Sequence, residues 1–235
     1  QTAIDEILLY KEYGGVSVVD ATSIGISRNP EGLRDISQQT GINIIMGSGF
    51  YVNDAHPDYV EHSSEEELSR HIARDILEGV EGTGIRSGII GEIGCSWPLT
   101  INERKVLAAA AIAQKETGGS ILIHPGRDEG SPVEIFEVLI ENKADLSRTI
   151  LGHIDRTVFD RDQLIDIAKT GCYLEWDLFG NESSFYRLNP SINHPNDGTK
   201  LDTILDLVIE GYGNKILFAQ DICTKHRLIK YGGHG

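Results

Sequence analysis

The sequence predicts an α/β fold, a TIM-type (β/α)8 barrel that lacks its first strand, and three observations favour this prediction. Short apolar runs alternate along the chain with longer segments of helical periodicity. The short runs are almost uniformly apolar, whereas half-solvated antiparallel strands would alternate between apolar and polar residues. Seven strand-helix units fit within the chain, each of roughly 30 residues, which is the length of a βαβ repeat.

The predicted strands follow one another in a regular order. From the amino terminus they are "VSVVDA", "INIIMG", "GIIGE", "SILIH", "TILGH", "CYLEW" and "KILFAQD". Ser64 and Glu67 form a capping-box pattern at the start of one intervening helix. Thr100 and Glu103 form another, and Gly118 is predicted to end that helix. Alternation of strand and helix implies a parallel sheet built from right-handed crossovers.

Residues 1–235 are treated as a single domain, because a chain that is 40% hydrophobic and of this length can bury one large core. Seven strands are one short of a closed barrel, so the first strand is expected to precede Gln1. The chain opens within a helical segment and closes on the loop "KYGGHG", so we expect a piece cut at both ends. The alternative is a doubly wound open sheet, although no G-x-G-x-x-G follows an early strand.

The charge of the chain limits its partners. A net charge of −15 and a pI near 4.9 would repel nucleic acid and anionic membrane surfaces, so we expect neither as a partner. The cysteines Cys95, Cys172 and Cys223 lie far apart and predict neither a disulfide framework nor a metal clip. We find no membrane-length apolar run and no leader pattern. We therefore expect a cytoplasmic protein that binds a small molecule, and a homodimer is compatible with the sequence.

Residues of metal-ligand or acid-base type end several predicted strands. They are Glu92, His124, His153 and Asp221. In a TIM barrel the carboxyl ends of neighbouring strands converge on one pocket. A carboxylate with two imidazoles makes a divalent-metal site with open positions, which suits zinc. Each residue alone has a plainer interpretation, since a single histidine is often structural and Glu92 can pair with Arg127 or Arg156.

Motifs along nearly the whole chain resemble the phosphotriesterase family of the metal-dependent amidohydrolase superfamily. They are "GIIGEIGCSWPLT", "IHPGR", "GHIDRT", "GCYLEWDLFG", "QDICTK" and "KYGGHG". The resemblance implies one or two divalent metals, usually zinc, at the mouth of the barrel. It implies that Glu92 bridges the ions and that His124 and His153 bind the more exposed one. It also implies that Asp221 binds the buried ion and accepts the proton of the bridging water.

The sequence departs from the family pattern at one point. That pattern includes a His-x-His pair at the end of the first strand, and no His-x-His occurs in these 235 residues. Either residues before Gln1 supply those two ligands, or the chain as given does not hold two metals. For the complete site we expect two divalent ions, with zinc as the metal.

The activity that the resemblance implies is hydrolysis of a small amide, ester or lactone by a hydroxide that bridges the metals. Relatives imply amides of N-acylated amino acids, including N-acetyltaurine. Arg127 and Arg156 favour such an anionic substrate, although they can instead bind loop carbonyls or carboxylates. The alternatives are a catalytically silent binding barrel, an organophosphate triester hydrolase and a Cys- or Ser-dependent hydrolase.

Residues that follow strand ends are the candidates for substrate contacts. We expect these contacts from Trp97, Arg127, Arg156, Tyr231 and His234. Tyr51, Trp176 and Phe179 are further candidates for the apolar wall of the pocket. We expect His56, His62, His71 and His194 to be solvated rather than functional, and we expect no functional role for His226.

Overall fold

The computed structural model describes residues 1–182 and 185–233, in which strands and helices alternate. The strands are β1 (Ser17–Asp20), β2 (Asn43–Ser48), β3 (Ile89–Gly94), β4 (Ile121–His124), β5 (Thr149–Leu151), β6 (Tyr173–Trp176) and β7 (Ile216–Phe218). The helices are α1 (Thr2–Glu12), α2 (Pro30–Thr40), α3 (Tyr59–His62), α4 (Glu65–Leu77), α5 (Ile101–Thr117), α6 (Ser131–Glu141), α7 (Ile154–Thr157), α8 (Arg161–Lys169) and α9 (Asp197–Ile209). None of these helices has the length and apolarity needed to cross a membrane.

The strands form one curled parallel sheet in which spatial order equals chain order, β1 to β7. Every predicted strand is therefore confirmed. A doubly wound sheet would reverse its strand order at a switch point, so that alternative is wrong. Within the described residues no ladder joins β7 to β1, and the sheet has two free edges. The topology is consistent with a TIM-type barrel, and a further strand before Gln1 stays a prediction.

The core lies between the sheet and its helices, and α5 occupies its centre. This helix contacts β3, β4, α4 and α6. Its alanines at positions 109, 110 and 111 are completely buried, as are Ile90 and Ile121 of the strands beside it. Because alanine side chains are small, α5 can pack closely against these neighbours.

The predicted helix boundaries agree with the structure at three positions. Ser64 Oγ accepts a hydrogen bond from the Glu67 amide, and the Glu67 carboxylate accepts one from the Ser64 amide, which completes the capping box of α4. Thr100 and Glu103 make the same reciprocal pair at the start of α5. The helix then ends at Gly118, whose φ of 68° is readily adopted by glycine.

Glu103 also joins two loops above the sheet. Its buried carboxylate accepts hydrogen bonds from Ser96 Oγ at 2.6 Å, from the Thr100 amide at 2.9 Å and from the Asn53 amide at 3.0 Å. Ser96 follows β3 and Asn53 follows β2, so one side chain fixes the loops after two neighbouring strands. Burial raises the pKa of Glu103, but these donors outweigh burial and lower it.

We expect the Glu103→Gln substitution to lower the free energy of unfolding by about 2 kcal/mol at pH 7, because charge-assisted hydrogen bonds to a buried carboxylate are lost. Since the folded-state pKa of Glu103 lies below its unfolded value, its ionised form stabilises the fold at neutral pH. That contribution disappears as the pH falls through about 4. Urea unfolding of both proteins at pH 7 and pH 3 measures this. Glu116→Gln, an exposed change in the same helix, should have little effect. An equal Glu103→Gln deficit at both pH values would contradict the expectation.

Candidate metal centre

Glu92, His124 and His153 come from three neighbouring units of the sheet. Glu92 lies within β3, His124 is the last residue of β4, and His153 follows β5 by two residues. The strand register between β3 and β4 shifts between Ile90 and Ile93, so Glu92 sits at a local irregularity. Such irregularities re-aim side chains near functional sites. The sequence predicted that the strand would end at Glu92, whereas the strand continues to Gly94.

These three side chains converge on one point. Glu92 Oε2 lies 3.3 Å from His124 Nδ1, and Glu92 Oε1 lies 3.1 Å from His153 Nε2. The two imidazoles approach to 2.7 Å between His153 Nε2 and His124 Nδ1. One ligand atom from each residue lies within 4.8 Å of the others. A carboxylate and two imidazoles are donors that zinc accepts, so this set fits a divalent metal.

Charge within the cluster favours an ionised carboxylate. Burial raises the pKa of Glu92, but the two imidazoles outweigh it and lower that pKa well below its ordinary value. Burial lowers the pKa of His124, so its imidazole is neutral near pH 7. A neutral imidazole and an ionised carboxylate are the forms that bind a metal.

Asp177 is a functional residue that the sequence interpretation missed. It follows β6 directly, and its Oδ1 lies 2.8 Å from His153 Nδ1 while its Oδ2 accepts the His153 amide at 2.9 Å. With Nδ1 held by Asp177, Nε2 of His153 faces Glu92. Burial alone would lower the pKa of His153, but the Asp177 carboxylate outweighs burial and raises it. The position of Asp177 directly after a strand is the signal that could have identified it.

Tyr51 also reaches the cluster, beyond its predicted role as an apolar wall. Its hydroxyl lies 3.3 Å from the ring nitrogens of His124, and the two rings meet edge to face at 4.8 Å. Burial, followed by the charge of Glu92, raises the pKa of Tyr51. The phenol therefore keeps its proton and can donate a hydrogen bond at the site.

Asp221 lies near the cluster but not within it. The cluster contains Glu92, His124 and His153, and the Asp221 carboxylate contacts Arg227 Nη1 at 3.3 Å. Burial raises the pKa of Asp221, and charges on His153 and Glu92 act on it as well. Both His153 and Asp221 have positive φ angles, of 52° and 46°, a conformation that costs energy in residues other than glycine. The roles of Asp221 as metal ligand and proton acceptor stay predictions.

Glycines next to Glu92 bring backbones close together. A methyl group on Gly91, whose φ is 135°, would lie 2.4 Å from the Leu122 carbonyl oxygen of β4. A methyl on Gly94 would lie 2.1 Å from the Val52 amide nitrogen, and one on Gly47 of β2 would lie 2.0 Å from the Gly91 oxygen. No side chain fits at these positions unless the strands move apart.

The predicted substrate contacts lie in different surroundings. Arg156 is almost completely buried beside His124, with 3.2 Å between its Nη2 and His124 Nε2. Arg127 and the partly exposed Trp97 line a cavity of about 400 Å³, together with residues of the loop after β6. Tyr231 packs instead on Lys225, whose Nζ lies 4.6 Å from its ring centre. His234 lies outside the described residues. The roles of all five residues in substrate binding stay predictions.

Two secondary expectations were wrong. Trp176 does not line the pocket, because it lies in β6 with 1% of its surface exposed and packs into the core. His194 is not solvated, because it is buried with its ring centre 4.3 Å from that of Tyr186. Trp176 points into the core because side chains alternate between the two faces of a strand. His194 is buried because the loop after β6 packs around it.

We expect the Asp177→Asn substitution to lower the pKa of His153, because the carboxylate that opposes burial most strongly is lost and Glu92 alone remains to raise that pKa. NMR titration of the imidazole nitrogens in metal-free protein measures this. Asp166→Asn removes an exposed carboxylate from α8 and should leave the His153 pKa unchanged. A His153 pKa that is the same in Asp177→Asn and wild-type protein would show that Asp177 does not control the imidazole.

Sequence similarity relates this chain to a known family. The profile described as "Phosphotriesterase family" matches residues 1–235. A phosphotriesterase-related protein of Nematostella vectensis is 49% identical over 99% of this chain and 66% of its own length. An N-acetyltaurine hydrolase of Rattus norvegicus is 49% identical over 98% of this chain and 66% of its own length. The chain thus spans about two thirds of these relatives, 66% in each case.

Several solved structures have the same fold as this chain. A resiniferatoxin-binding protein from Rhodobacter sphaeroides superposes with a TM-score of 0.95 at 35% identity, covering 100% of this chain and 65% of its own. A lactonase from Listeria monocytogenes has a TM-score of 0.86 at 25% identity, covering 98% of this chain and 72% of its own. The match of the family profile to every residue, together with these relatives, leads to one conclusion: the chain belongs to the phosphotriesterase family.

Proposed function

We propose that this chain carries the active site of a divalent-metal-dependent hydrolase that cleaves a small amide, with N-acetyltaurine as the first candidate substrate. One observation carries the proposal: Glu92, His124 and His153 meet at the carboxyl ends of neighbouring strands in a chain of this family. The name of the relatives at 49% identity supports the choice of amide. The lactonase among the solved structures makes a lactone the second candidate.

We propose zinc as the metal, held by Glu92, His124 and His153, with Asp221 as a ligand of a second ion. When bound, such an ion polarises the scissile carbonyl and makes water acidic enough to react near neutral pH. The low pKa of Glu92 keeps a full negative charge for the metal. Asp177 fixes the His153 ring so that Nε2 faces the cluster. The protein's contribution is thus to present charged and neutral donors in fixed orientations.

Hydrolysis of N-acetyltaurine adds water across the amide bond. A bond forms between the water oxygen and the acyl carbon, the carbon-nitrogen bond breaks, and acetate and taurine are released. In the proposed mechanism Asp221 accepts a proton from the attacking water and passes it to the departing nitrogen. Its raised pKa, caused mainly by burial, makes this carboxylate a better proton acceptor than an exposed aspartate. The Tyr51 phenol beside His124 can donate a hydrogen bond to the developing oxyanion.

We expect zinc to bind the metal-free wild-type protein. We expect the zinc affinity of Glu92→Gln and of His124→Asn to be lower by about tenfold or more, because each substitution removes a metal ligand. Competition with a chromophoric chelator measures the affinity. His62→Asn replaces an exposed histidine of α3 and should bind zinc as the wild type does. Equal zinc affinity in all four proteins would contradict the assignment of the ligands.

We expect the zinc-loaded protein to release taurine from N-acetyltaurine, and we expect chelation to abolish this release and added zinc to restore it. Amine release from amides, hydroxy-acid formation from a γ-lactone and alcohol release from a phosphotriester are measured side by side to check the substrate class. Activity that survives chelation would instead support a Cys- or Ser-dependent hydrolase. Zinc binding without turnover of any substrate would support a silent binding barrel.

A further inference from the structure

Arg156 lies next to the cluster and Arg127 lies near Arg156, and neither side chain forms an ion pair with a carboxylate of the described residues. Arg156 is 3% exposed and uses its guanidinium on neutral groups. It donates to the Pro125 carbonyl at 3.1 Å and to Thr157 Oγ1 at 3.2 Å, and it faces His124 Nε2. Among the described residues, no carboxylate lies within ion-pair distance of Arg156. A buried guanidinium in this position keeps its charge and needs a compensating anion.

Arg127 is held in place by the loop after β6, again through neutral groups. Its Nε donates to the Tyr186 hydroxyl at 2.6 Å, and its carbonyl accepts from Asn189 Nδ2 at 2.8 Å. Neither terminal nitrogen has a partner within the described ranges. The residue lines the cavity of about 400 Å³ together with Ser96, Trp97, Ser191 and Asp128, whose Oδ1 accepts the Gly130 amide at 2.8 Å. The guanidinium is therefore oriented but still has donors available for a ligand.

Two other buried or mostly buried cations of the described residues pair with carboxylates. Arg28, also mostly buried, contacts Asp75 Oδ2 at 2.8 Å. Lys200, which is 1% exposed, contacts Asp197 Oδ1 at 2.9 Å. With 36 acidic residues and a net charge of −15, this chain does not lack carboxylates. Arg156, which has no carboxylate partner among the described residues, differs from Arg28 and Lys200 in this respect, whereas the partly buried Arg74 and Lys105 also contact neutral groups.

The acidic side chains at the metal cluster already have partners. Glu92 contacts both imidazoles, and Asp177 contacts the ring and amide of His153. Their charges act on Arg156 through space, but Arg127 repels Arg156 more strongly than either attracts it. Two like charges are thus held close together beside a cavity, an arrangement that an anionic ligand would stabilise.

We propose that Arg127 binds the anionic end of the substrate in this cavity, with the charge of buried Arg156 behind it as a positioning residue. The ligand class is a short N-acyl amide that ends in a sulfonate or carboxylate. The acyl carbonyl would lie at the metal centre and the oxyanion at Arg127. This inference rests on the proposed function, since it assigns the substrate class of the same site.

The test separates charge recognition from hydrolysis. Calorimetry with ethanesulfonate as the probe measures anion binding to zinc-loaded protein without any reaction. We expect Arg127→Gln to weaken this binding about tenfold or more, as the loss of a charge-assisted hydrogen bond predicts, and Arg127→Lys to weaken it less. Arg161→Gln removes an equal charge from exposed α8 and should bind ethanesulfonate as the wild type does. Thermal unfolding confirms that each variant folds.

The second part of the test compares KM and kcat for three amides that differ in the charge of the end group. N-acetyltaurine carries a sulfonate, N-acetyl-β-alanine a carboxylate, and N-ethylacetamide no charge. We expect Arg127→Gln to raise KM for the anionic amides about tenfold or more while it leaves kcat/KM for the neutral amide unchanged. The anionic amide with the larger loss identifies the head group that Arg127 recognises.

The outcomes distinguish the two proposals. If ethanesulfonate does not bind the wild type, or binds Arg127→Gln equally well, the anion site is refuted whatever the activity. An equal loss on the neutral amide would also refute it, because that pattern indicates a general structural role. If no amide is cleaved but Arg127→Gln still loses ethanesulfonate binding, the anion site stands and the proposed hydrolysis fails.

Discussion

The contact of the buried Glu92 carboxylate with two imidazoles is the interaction on which the rest of the site depends. A carboxylate at the end of a core strand is unfavourable unless cationic or hydrogen-bonding groups surround it. Here His124 and His153 approach it at 3.3 and 3.1 Å, and Asp177 in turn holds His153. The cluster is thus a series of polar contacts in which each side chain orients the next. Such a series is complete only when the ends of β3 to β6 lie side by side, which sequential parallel order guarantees.

The fold could be predicted because local signals agreed with tertiary structure. Uniformly apolar runs identify strands that are buried on both faces, and capping residues such as Thr100 and Glu103 mark where a helix must begin. The proximity of Glu92, His124 and His153 could be predicted for a similar reason, because residues at the carboxyl ends of parallel strands lie at the same edge of the sheet. The topology of the sheet therefore followed from periodicity and the order of elements, without any knowledge of side-chain contacts.

The remainder of the site depends on contacts that no local pattern encodes. Asp177 contacts His153 because β6 pairs with β5, so the residues that follow the two strands are neighbours, and its sequence position gave only a weak indication. Trp176, one residue earlier, faces the core instead, because adjacent residues of a strand point to opposite sides. Arg127 and Arg156 look alike in sequence, three residues after each histidine. Yet one is buried against His124 and the other borders a cavity.

The glycines that flank Glu92 limit how this family member can change. A methyl group on Gly47, Gly91 or Gly94 would meet backbone atoms at 2.4 Å or less. The backbone spacing around Glu92 therefore does not allow larger residues at these positions. Diversification among relatives must then come from segments that tolerate insertion and exchange, such as the stretch between β6 and α9. One rigid scaffold can in this way serve proteins as different in name as a lactonase and an N-acetyltaurine hydrolase.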